Sequence, residues 1–239
     1  MSFDLPPVFG HRGARAVRTE NTLGAFRYAC TSGIRWVELD VMLSRDGVPM
    51  VFHDETLDRL SETKGRLDSF TAAGLKDVRL AGGAGIPTLD EVLRLLNECG
   101  GCVNIEIKPS RPDLARETAR AAWRVVCENG FDDPSRLLFS SFAWDALEEM
   151  AELAPAIRRG VLVEEDSADW RPVAEKIGAY SIHYDADLLT EPLIREIRGQ
   201  GYRLLAYTVN EPEKARMLRE WGVESFFCDS PVEMMQAMT

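Results

Sequence analysis

The repeated alternation of short apolar runs with amphipathic helical patterns limits the fold more than any other feature of this chain. Nine such runs predict β-strands at 7–11, 36–42, 48–54, 102–108, 137–142, 159–163, 179–184, 203–209 and 225–229. Most segments between them repeat apolar residues at helical spacing, and one begins with the capping-box pattern from Thr88 to Glu91. Strands that alternate with helices form a parallel sheet.

One connection is too short for a parallel arrangement. Only a few residues separate the runs at 36–42 and 48–54, whereas a parallel crossover needs a dozen or more. We therefore predict that 48–54 folds back antiparallel on 36–42, which leaves eight parallel strands, the number in a TIM barrel. The predicted fold is a single α/β domain over 1–239, a (β/α)8 TIM barrel with an extra antiparallel hairpin arm after the second strand.

A small insertion at about 56–87 follows the hairpin arm. It is rich in glycine and charge, with weak helical patterns at 61–67 and 71–78. A lid over the barrel mouth and a plain surface excursion are both open interpretations, since loops at this end of a barrel often close over substrate.

The hairpin arm places polar residues on one face. Asp46-Gly47 is a strong two-residue turn, and such a turn pairs position 45 with 48 and Asp40 with His53. Directly paired residues point to the same face, and Glu38, two positions before Asp40, shares it.

Further polar residues stand at the ends of neighbouring strands. Glu106 and Lys108 share one face of the next parallel strand, and His11 ends the first strand. Because the carboxyl ends of barrel strands meet at one mouth, where barrel enzymes carry their chemistry, we expect all these side chains to converge there.

This set of residues predicts metal-assisted cleavage of a phosphate ester. The carboxylates of Glu38, Asp40 and Glu106 suit a hard divalent cation, Mg²⁺ or Ca²⁺. Arg12 and Lys108 add fixed positive charge of the kind that a phosphoryl group needs. Two histidines, His11 and His53, can act as base and acid near neutral pH.

The ordered motifs closely resemble those of the glycerophosphodiester phosphodiesterases. The likeness extends over nearly the whole chain and comprises His11-Arg12-Gly13, Glu20-Asn21-Thr22, Glu38 to Val41, His53-Asp54, Glu106 to Pro109, SSF at 140–142, YTVN at 207–210 and CDSP at 228–231. The resemblance implies a phospholipase-C-like barrel that hydrolyses a glycerophosphodiester to glycerol 3-phosphate and an alcohol with a divalent cation.

The resemblance also implies residue roles. Carried over by position, it assigns the metal to Glu38, Asp40 and Glu106, acid–base catalysis to His11 and His53, and the phosphate to Arg12 and Lys108. It leaves open which histidine is the acid, and whether water attacks directly or a glycerol hydroxyl first forms a cyclic phosphate.

Three further residues are candidates for substrate binding. Phe142 ends its strand at the mouth. Tyr207 stands where the family commonly has tryptophan, so the aromatic side chain expected to line the pocket is kept but differs in size. Glu20 is the third candidate, with a plain charge in the first helical turn as the alternative. His183 is expected to be a packed strand residue.

Composition limits partners and location. A net charge of −11 argues against nucleic-acid and anionic-membrane surfaces, which favour basic patches. No apolar run approaches the roughly 20 residues that span a bilayer, and no secretory signal is evident. Five scattered cysteines indicate a reduced, cytoplasmic protein.

Three alternative functions remain at this point. The same site could give a phospholipase-D-like activity on lysophospholipids, the chain could be a non-catalytic phosphate-binding barrel, or Lys108 could form a Schiff base in a lyase. The alcohol preference, the metal and the oligomeric state are left open by the sequence.

Overall fold

The computed structural model describes residues 5–164 and 169–238. Nine strands lie in this part of the chain, numbered β1 to β9 in order: Val8–Gly10, Trp36–Leu43, Pro49–Val51, Cys102–Ile107, Leu137–Ser141, Arg158–Val163, Ser181–Asp185, Arg203–Tyr207 and Ser225–Cys228. The α-helices of the same part, α1 to α9, are Leu23–Thr31, Ala72–Asp77, Leu89–Glu98, Ala115–Glu128, Trp144–Leu153, Arg171–Lys176, Glu191–Gly199, Pro212–Trp221 and Pro231–Met238. Every predicted strand is present, although the return arm β3 is shorter than expected.

Eight parallel strands close into a barrel, which confirms the predicted TIM-barrel fold. The hydrogen-bonded order is β1-β9-β8-β7-β6-β5-β4-β2, and β1 pairs with β2 to complete the ring. The β1–β2 seam is held by the single register pair Gly10↔Val37. Strand β3 pairs antiparallel with the edge of β2 that faces away from β4, as the short connection predicted.

The register of the hairpin differs from our prediction by one residue. Ser44 donates its backbone N–H to the carbonyl of Val48, so the loop has three residues, 45–47, with Gly47 at φ +76°. A type I turn followed by one left-handed residue gives this three-residue loop. Asp40 is therefore opposite Phe52, which donates its N–H to the Asp40 carbonyl, and the predicted pairing of Asp40 with His53 is wrong.

The barrel interior is layered from apolar to polar. Its apolar layer is formed by Phe9, Trp36, Cys102, Leu138, Leu205 and Phe227. Because side chains alternate along a strand, the positions two and four residues beyond Trp36 and Cys102 share their inward face. Those positions hold Glu38, Asp40, Asn104 and Glu106, so the polar layer lies toward the carboxyl ends of the strands.

The insertion has a small apolar core of its own. Its residues Leu57, Leu67, Leu75 and Leu80 pack with Met50 and others beside the hairpin arm. Helix α2 confirms the helical pattern at 71–78, whereas 61–67 forms no α-helix and ends at a short 3₁₀ turn, Leu67–Ser69. The predicted capping box at Thr88 is present at the start of α3.

The α-helices of the described ranges have from six to 14 residues. None of them is both long enough and apolar enough to cross a bilayer.

Candidate active site

Three carboxylates meet at the carboxyl ends of β2 and β4. Asp40 and Glu106 are register partners on these adjacent strands, and Glu38 lies on the same face two residues earlier. Oxygens of Glu38, Asp40 and Glu106 lie within 4.8 Å of one another. The structure therefore brings together the three residues that were predicted to hold a metal.

The cluster fits a divalent cation. Within 5–164 and 169–238, the buried Oε1 atoms of Glu38 and Glu106 have no hydrogen-bond partner. Burial, followed by repulsion from Asp40, raises the pKa of Glu106 to about 8 and also raises the pKa of Glu38. Unpartnered buried oxygens and repelling carboxylates are what a hard cation would satisfy, since it takes oxygen ligands.

Asp40 differs from its two neighbours because cations surround it. Burial alone would raise its pKa, but the charges of Arg12 and Lys108 lower the pKa below the ordinary value. Asn21 also donates its amide to Asp40 Oδ2 at 2.7 Å. Asn21 holds a left-handed backbone conformation, with φ +55°, so the turn that precedes α1 aims this amide at the cluster.

His11 forms one of two histidine–carboxylate pairs at the mouth. Its Nδ1 lies 2.6 Å from Asp229 Oδ1, at the end of β9. An ionised carboxylate can only accept, so Nδ1 carries the proton and Nε2 is left for the cavity that His11 lines. Burial lowers the pKa of His11, and this effect outweighs the attraction of Asp229.

His53 forms the second pair, with the next residue. Its Nδ1 lies 2.6 Å from Asp54 Oδ1, and Lys108 donates from Nζ to His53 Nε2 at 2.5 Å. Burial and the nearby charges of Arg12 and Lys108 lower the pKa of His53 against the attraction of Asp40. His53 lies two residues beyond the end of β3, where strand alternation no longer sets the side-chain direction.

Arg12 is bound on several sides by carboxylates. Its backbone N–H donates to Glu38 Oε2 at 2.8 Å and its Nη1 donates to Glu20 Oε1 at 2.7 Å. Its Nε lies 3.4 Å from Asp40 Oδ2. The guanidinium is thus held next to the carboxylate cluster.

Glu20 lies behind Arg12 and not on the cavity wall. It is 4% exposed and accepts hydrogen bonds from Arg12, Arg15 and Arg59. This geometry is that of a residue that holds arginines, whereas substrate contact was our prediction for it.

A cavity of about 270 Å³ opens at this mouth. Phe142 and Tyr207 form one wall, with ring centroids 5.8 Å apart and planes at 89°. The Tyr207 hydroxyl donates to the Val163 carbonyl at 2.7 Å, so the ring is fixed and presents carbon to the cavity. The lining also includes His11, Arg12, Glu38, His53, Glu106 and Lys108.

Several residues of the site were missed by the residue-level predictions. Asp54 and Asp229 lie inside motifs that we used for the resemblance, but their bonds to the histidines depend on the fold. Asn104 and Ser140 line the cavity, and Asn104 donates to Ser140 Oγ at 2.9 Å. They lie two positions before Glu106 and Phe142, so the alternation of side chains along a strand could have predicted that they face the barrel interior. No local pattern marked Arg59.

The mouth of this α/β barrel combines a carboxylate cluster, two histidine–carboxylate pairs and two cations. This combination is typical of one class of enzymes, the barrel hydrolases of phosphate esters. Comparison with known proteins specifies the family within it. The model of the "Glycerophosphoryl diester phosphodiesterase family" matches residues 11–233. The chain therefore belongs to the glycerophosphoryl diester phosphodiesterase family and is a phosphoric diester hydrolase.

Individual relatives agree with this assignment. A glycerophosphodiester phosphodiesterase of Caldanaerobacter subterraneus is 31% identical over 234 residues, which cover 94% of each chain. A phosphodiesterase of Oleispira antarctica, solved in complex with the product sn-glycerol-3-phosphate, matches with a TM-score of 0.92 and 33% identity over 98% of this chain and 97% of that one. A glycerophosphodiester phosphodiesterase of Thermotoga maritima matches with a TM-score of 0.78 and 31% identity over 100% of both chains.

Proposed function

We propose that this enzyme hydrolyses a glycerophosphodiester to sn-glycerol 3-phosphate and an alcohol, with Mg²⁺ or Ca²⁺ held by Glu38, Asp40 and Glu106. The observation that carries the proposal is the pair of unpartnered carboxylate oxygens on Glu38 and Glu106, in a cavity that both histidines line. The complex of the Oleispira antarctica relative with sn-glycerol-3-phosphate supports the choice of product.

The chain's own cations would hold the phosphate. When bound, the divalent cation would neutralise the carboxylates and polarise the phosphoryl oxygens. Arg12 lines the cavity, and its guanidinium supplies fixed positive charge for a phosphate bound there. Lys108 lines the same cavity and supplies a second positive charge.

The two histidines would move protons on either side of the phosphorus. One takes the proton of the attacking oxygen, and the other donates a proton to the alcohol oxygen as its bond to phosphorus breaks. Asp229 and Asp54 fix the tautomer of each ring through Nδ1, as carboxylates do in other histidine catalysts. Water as the attacking group and a glycerol hydroxyl that first closes a cyclic phosphate both fit this arrangement.

Release of glycerol 3-phosphate tests the function. Wild type would be assayed on glycerophosphodiesters of ethanolamine, choline, glycerol, inositol and serine with Mg²⁺, with Ca²⁺ and with EDTA. We expect metal-dependent release that is lost in His11→Ala and Glu38→Gln. Glu149→Gln is the matched control, because Glu149 is also a buried carboxylate but pairs with arginines on the outside of the barrel.

Negative results would separate the alternatives. Release of no glycerol 3-phosphate from any diester by folded, metal-loaded protein would reject the proposal. Activity on lysophospholipids alone would favour the phospholipase-D-like alternative, and trapping by borohydride without metal would favour a lyase on Lys108.

A p-nitrophenyl ester of glycerol phosphate would assign the two histidines. Its leaving group departs without a proton, so a variant that lacks only the general acid regains much of its rate on this ester. A variant that lacks the general base stays slow on both substrates. Comparison of His11→Ala with His53→Ala therefore identifies each role.

We also propose a cytoplasmic location and a small-molecule partner. All five cysteines are free, which supports a reducing compartment. The net charge of −11 is unfavourable for binding nucleic acid or anionic lipid.

A further inference from the structure

Arg59, in the insertion, bridges two carboxylates that belong to different parts of the site. It donates to Asp54 from Nε at 2.6 Å and from Nη2 at 3.1 Å. It donates to Glu20 from Nη1 at 2.9 Å and from Nη2 at 2.7 Å. Both carboxylates are thus bound bidentately, a geometry that the planar guanidinium fork makes strong and directional.

Each of these carboxylates in turn holds a side chain that lines the cavity. Asp54 Oδ1 is 2.6 Å from His53 Nδ1, and Glu20 Oε1 accepts from Arg12 Nη1 at 2.7 Å. A continuous path of hydrogen bonds therefore runs from His53 through Asp54, Arg59 and Glu20 to Arg12. It joins the hairpin arm to the turn that follows β1.

The burial of Glu20 explains why this carboxylate collects arginines, and Arg59 shares it with Arg12 and Arg15. Glu20 is 4% exposed, and a buried carboxylate is costly unless it is paired and hydrogen-bonded. Arg59 itself does not line the cavity, and its side chain is 41% exposed. It can therefore affect the reaction only through the residues that it holds.

We propose that Arg59 is a positioning residue that sets the orientation of His53 and Arg12 together, so that the insertion is coupled to the acid–base and phosphate-binding groups. This inference rests on the proposed function. It concerns a residue outside the cavity, and it gives the insertion a role in catalysis that needs no closing movement.

The first test compares Arg59→Gln with Arg66→Gln. Arg66 is the matched control because it lies in the same insertion, has a side chain 39% exposed and pairs with Glu55 and Asp68. We expect kcat/KM for glycerophosphoethanolamine to fall about 10–100-fold in Arg59→Gln, the range for residues that orient active-site ligands. Arg66→Gln should stay within about threefold of wild type, since its partners do not hold cavity side chains.

Chemical rescue separates positioning from a general loss of folding. In Arg59→Ala, free guanidinium ion can enter the space that the exposed side chain leaves and bind the same two carboxylates. We expect millimolar guanidinium chloride to restore part of the lost kcat in Arg59→Ala and to leave Arg66→Ala unchanged. Arg59→Lys should have a lower kcat than Arg59→Ala with guanidinium, because one ammonium group cannot bind both carboxylates bidentately.

The ring signals of His53 give a readout that does not depend on activity. The chain has three histidines, so their NMR signals can be assigned by single substitution. We expect the His53 Nδ1–H resonance to shift or broaden in Arg59→Gln and to stay unchanged in Arg66→Gln.

Three results would overturn the inference: wild-type kcat/KM in Arg59→Gln, equal losses in the Arg59 and Arg66 variants, or unchanged His53 signals in Arg59→Gln. Failure of the proposed function looks different, because wild type itself would then release no glycerol 3-phosphate while the NMR comparison still decides the role of Arg59.

Discussion

At the scale of single residues, burial strengthens the electrostatic interactions among the charged groups of the site. Two of the three clustered carboxylates have raised pKa values, and the third is lowered by the cations around it. Without a cation, the cluster stores electrostatic repulsion in the folded state. Replacing one carboxylate by its amide should therefore affect stability and metal binding in opposite directions.

Glu106→Gln tests this expectation. At pH 7 the metal-free folded protein binds a proton at Glu106, because the pKa there is raised to about 8, whereas the unfolded chain does not. The metal-free variant should therefore be about 1–3 kcal/mol more stable than metal-free wild type. Titration with Mg²⁺ and Ca²⁺ should raise the Tm of wild type and hardly change that of the variant, because binding to the folded state stabilises it. Equal metal-induced shifts in both proteins would contradict the assignment of Glu106 as a ligand.

His183 gives a prediction about acid stability. It is fully buried on β7, its Nδ1 has no hydrogen-bond partner in the structure as described, and burial lowers its pKa to about 3. Between pH 6.5 and about 3 the unfolded chain binds a proton there that the folded chain does not, so stability falls as the pH falls, by up to about 1.4 kcal/mol per pH unit.

Unfolding by urea at pH 7 and pH 5 measures this loss. His183→Gln should lose about 2 kcal/mol less than wild type over that interval. A Cβ at Gly160 would lie 2.3 Å from His183 Nε2, so the packing there is tight and the substitution can change stability at pH 7 as well. The test is therefore the difference in unfolding free energy between the two pH values. Parallel pH profiles for the two proteins would show that His183 is not the group responsible.

At the scale of elements, the hairpin arm shows what the sequence could predict and what it could not. Apolar runs located all nine strands, because burial on both faces requires continuous apolar stretches. The short connection predicted the antiparallel arm. The register was wrong by one residue because Asp-Gly serves both two-residue and three-residue loops, and only the hydrogen bond of Ser44 with Val48 distinguishes them.

The residues of the site divide in the same way. Those on strands, such as Glu38 and Glu106, followed from alternation and from parallel pairing. His53 reached the cavity although its predicted pairing was wrong, because it lies beyond the strand end. Arg59 could not be predicted at all, since a surface arginine five positions after Asp54 has no pattern of its own.

Gly47→Ala tests the observed loop. Because Gly47 has φ +76°, a Cβ there should cost about 1–2 kcal/mol of unfolding free energy. Gly199→Ala is the control: Gly199 lies in the last turn of α7 with open space around its Cβ position, and alanine should be neutral or stabilise by up to about 1 kcal/mol. Equal effects at the two positions in chemical denaturation would speak against the three-residue loop.

At the scale of the whole molecule, the barrel is closed by its first strand. Strand β1 pairs with β9 on one side and with β2 on the other, and it carries His11 to the mouth. Asp229, which orients His11, is 218 positions away and directly follows β9. The His11–Asp229 pair thus links the first and the last strand of the described chain.

Asp229→Asn should separate orientation from binding. Asp229 accepts from both His11 Nδ1 and Asn210 Nδ2, and an amide has only one oxygen for these two donors. The tautomer of His11 is then no longer fixed, so kcat should fall by about 10–100-fold with little change in KM. Asp187→Asn, at an aspartate with a side chain 85% exposed, is the control and should behave as wild type. A rise in KM with unchanged kcat in Asp229→Asn would mean that Asp229 acts on substrate binding and not on His11.

The pairing of β1 with β9 also determines when activity can appear during folding. His11 precedes Asp229 by 218 positions, and eight further strands of the described chain lie between them, so synthesis supplies the carboxylate long after the histidine. A nascent or refolding chain can collapse and form most of its sheet while this histidine still lacks its partner. Turnover during refolding should therefore lag behind recovery of secondary structure. The appearance of activity would then report the closure of the barrel by β1 and β9.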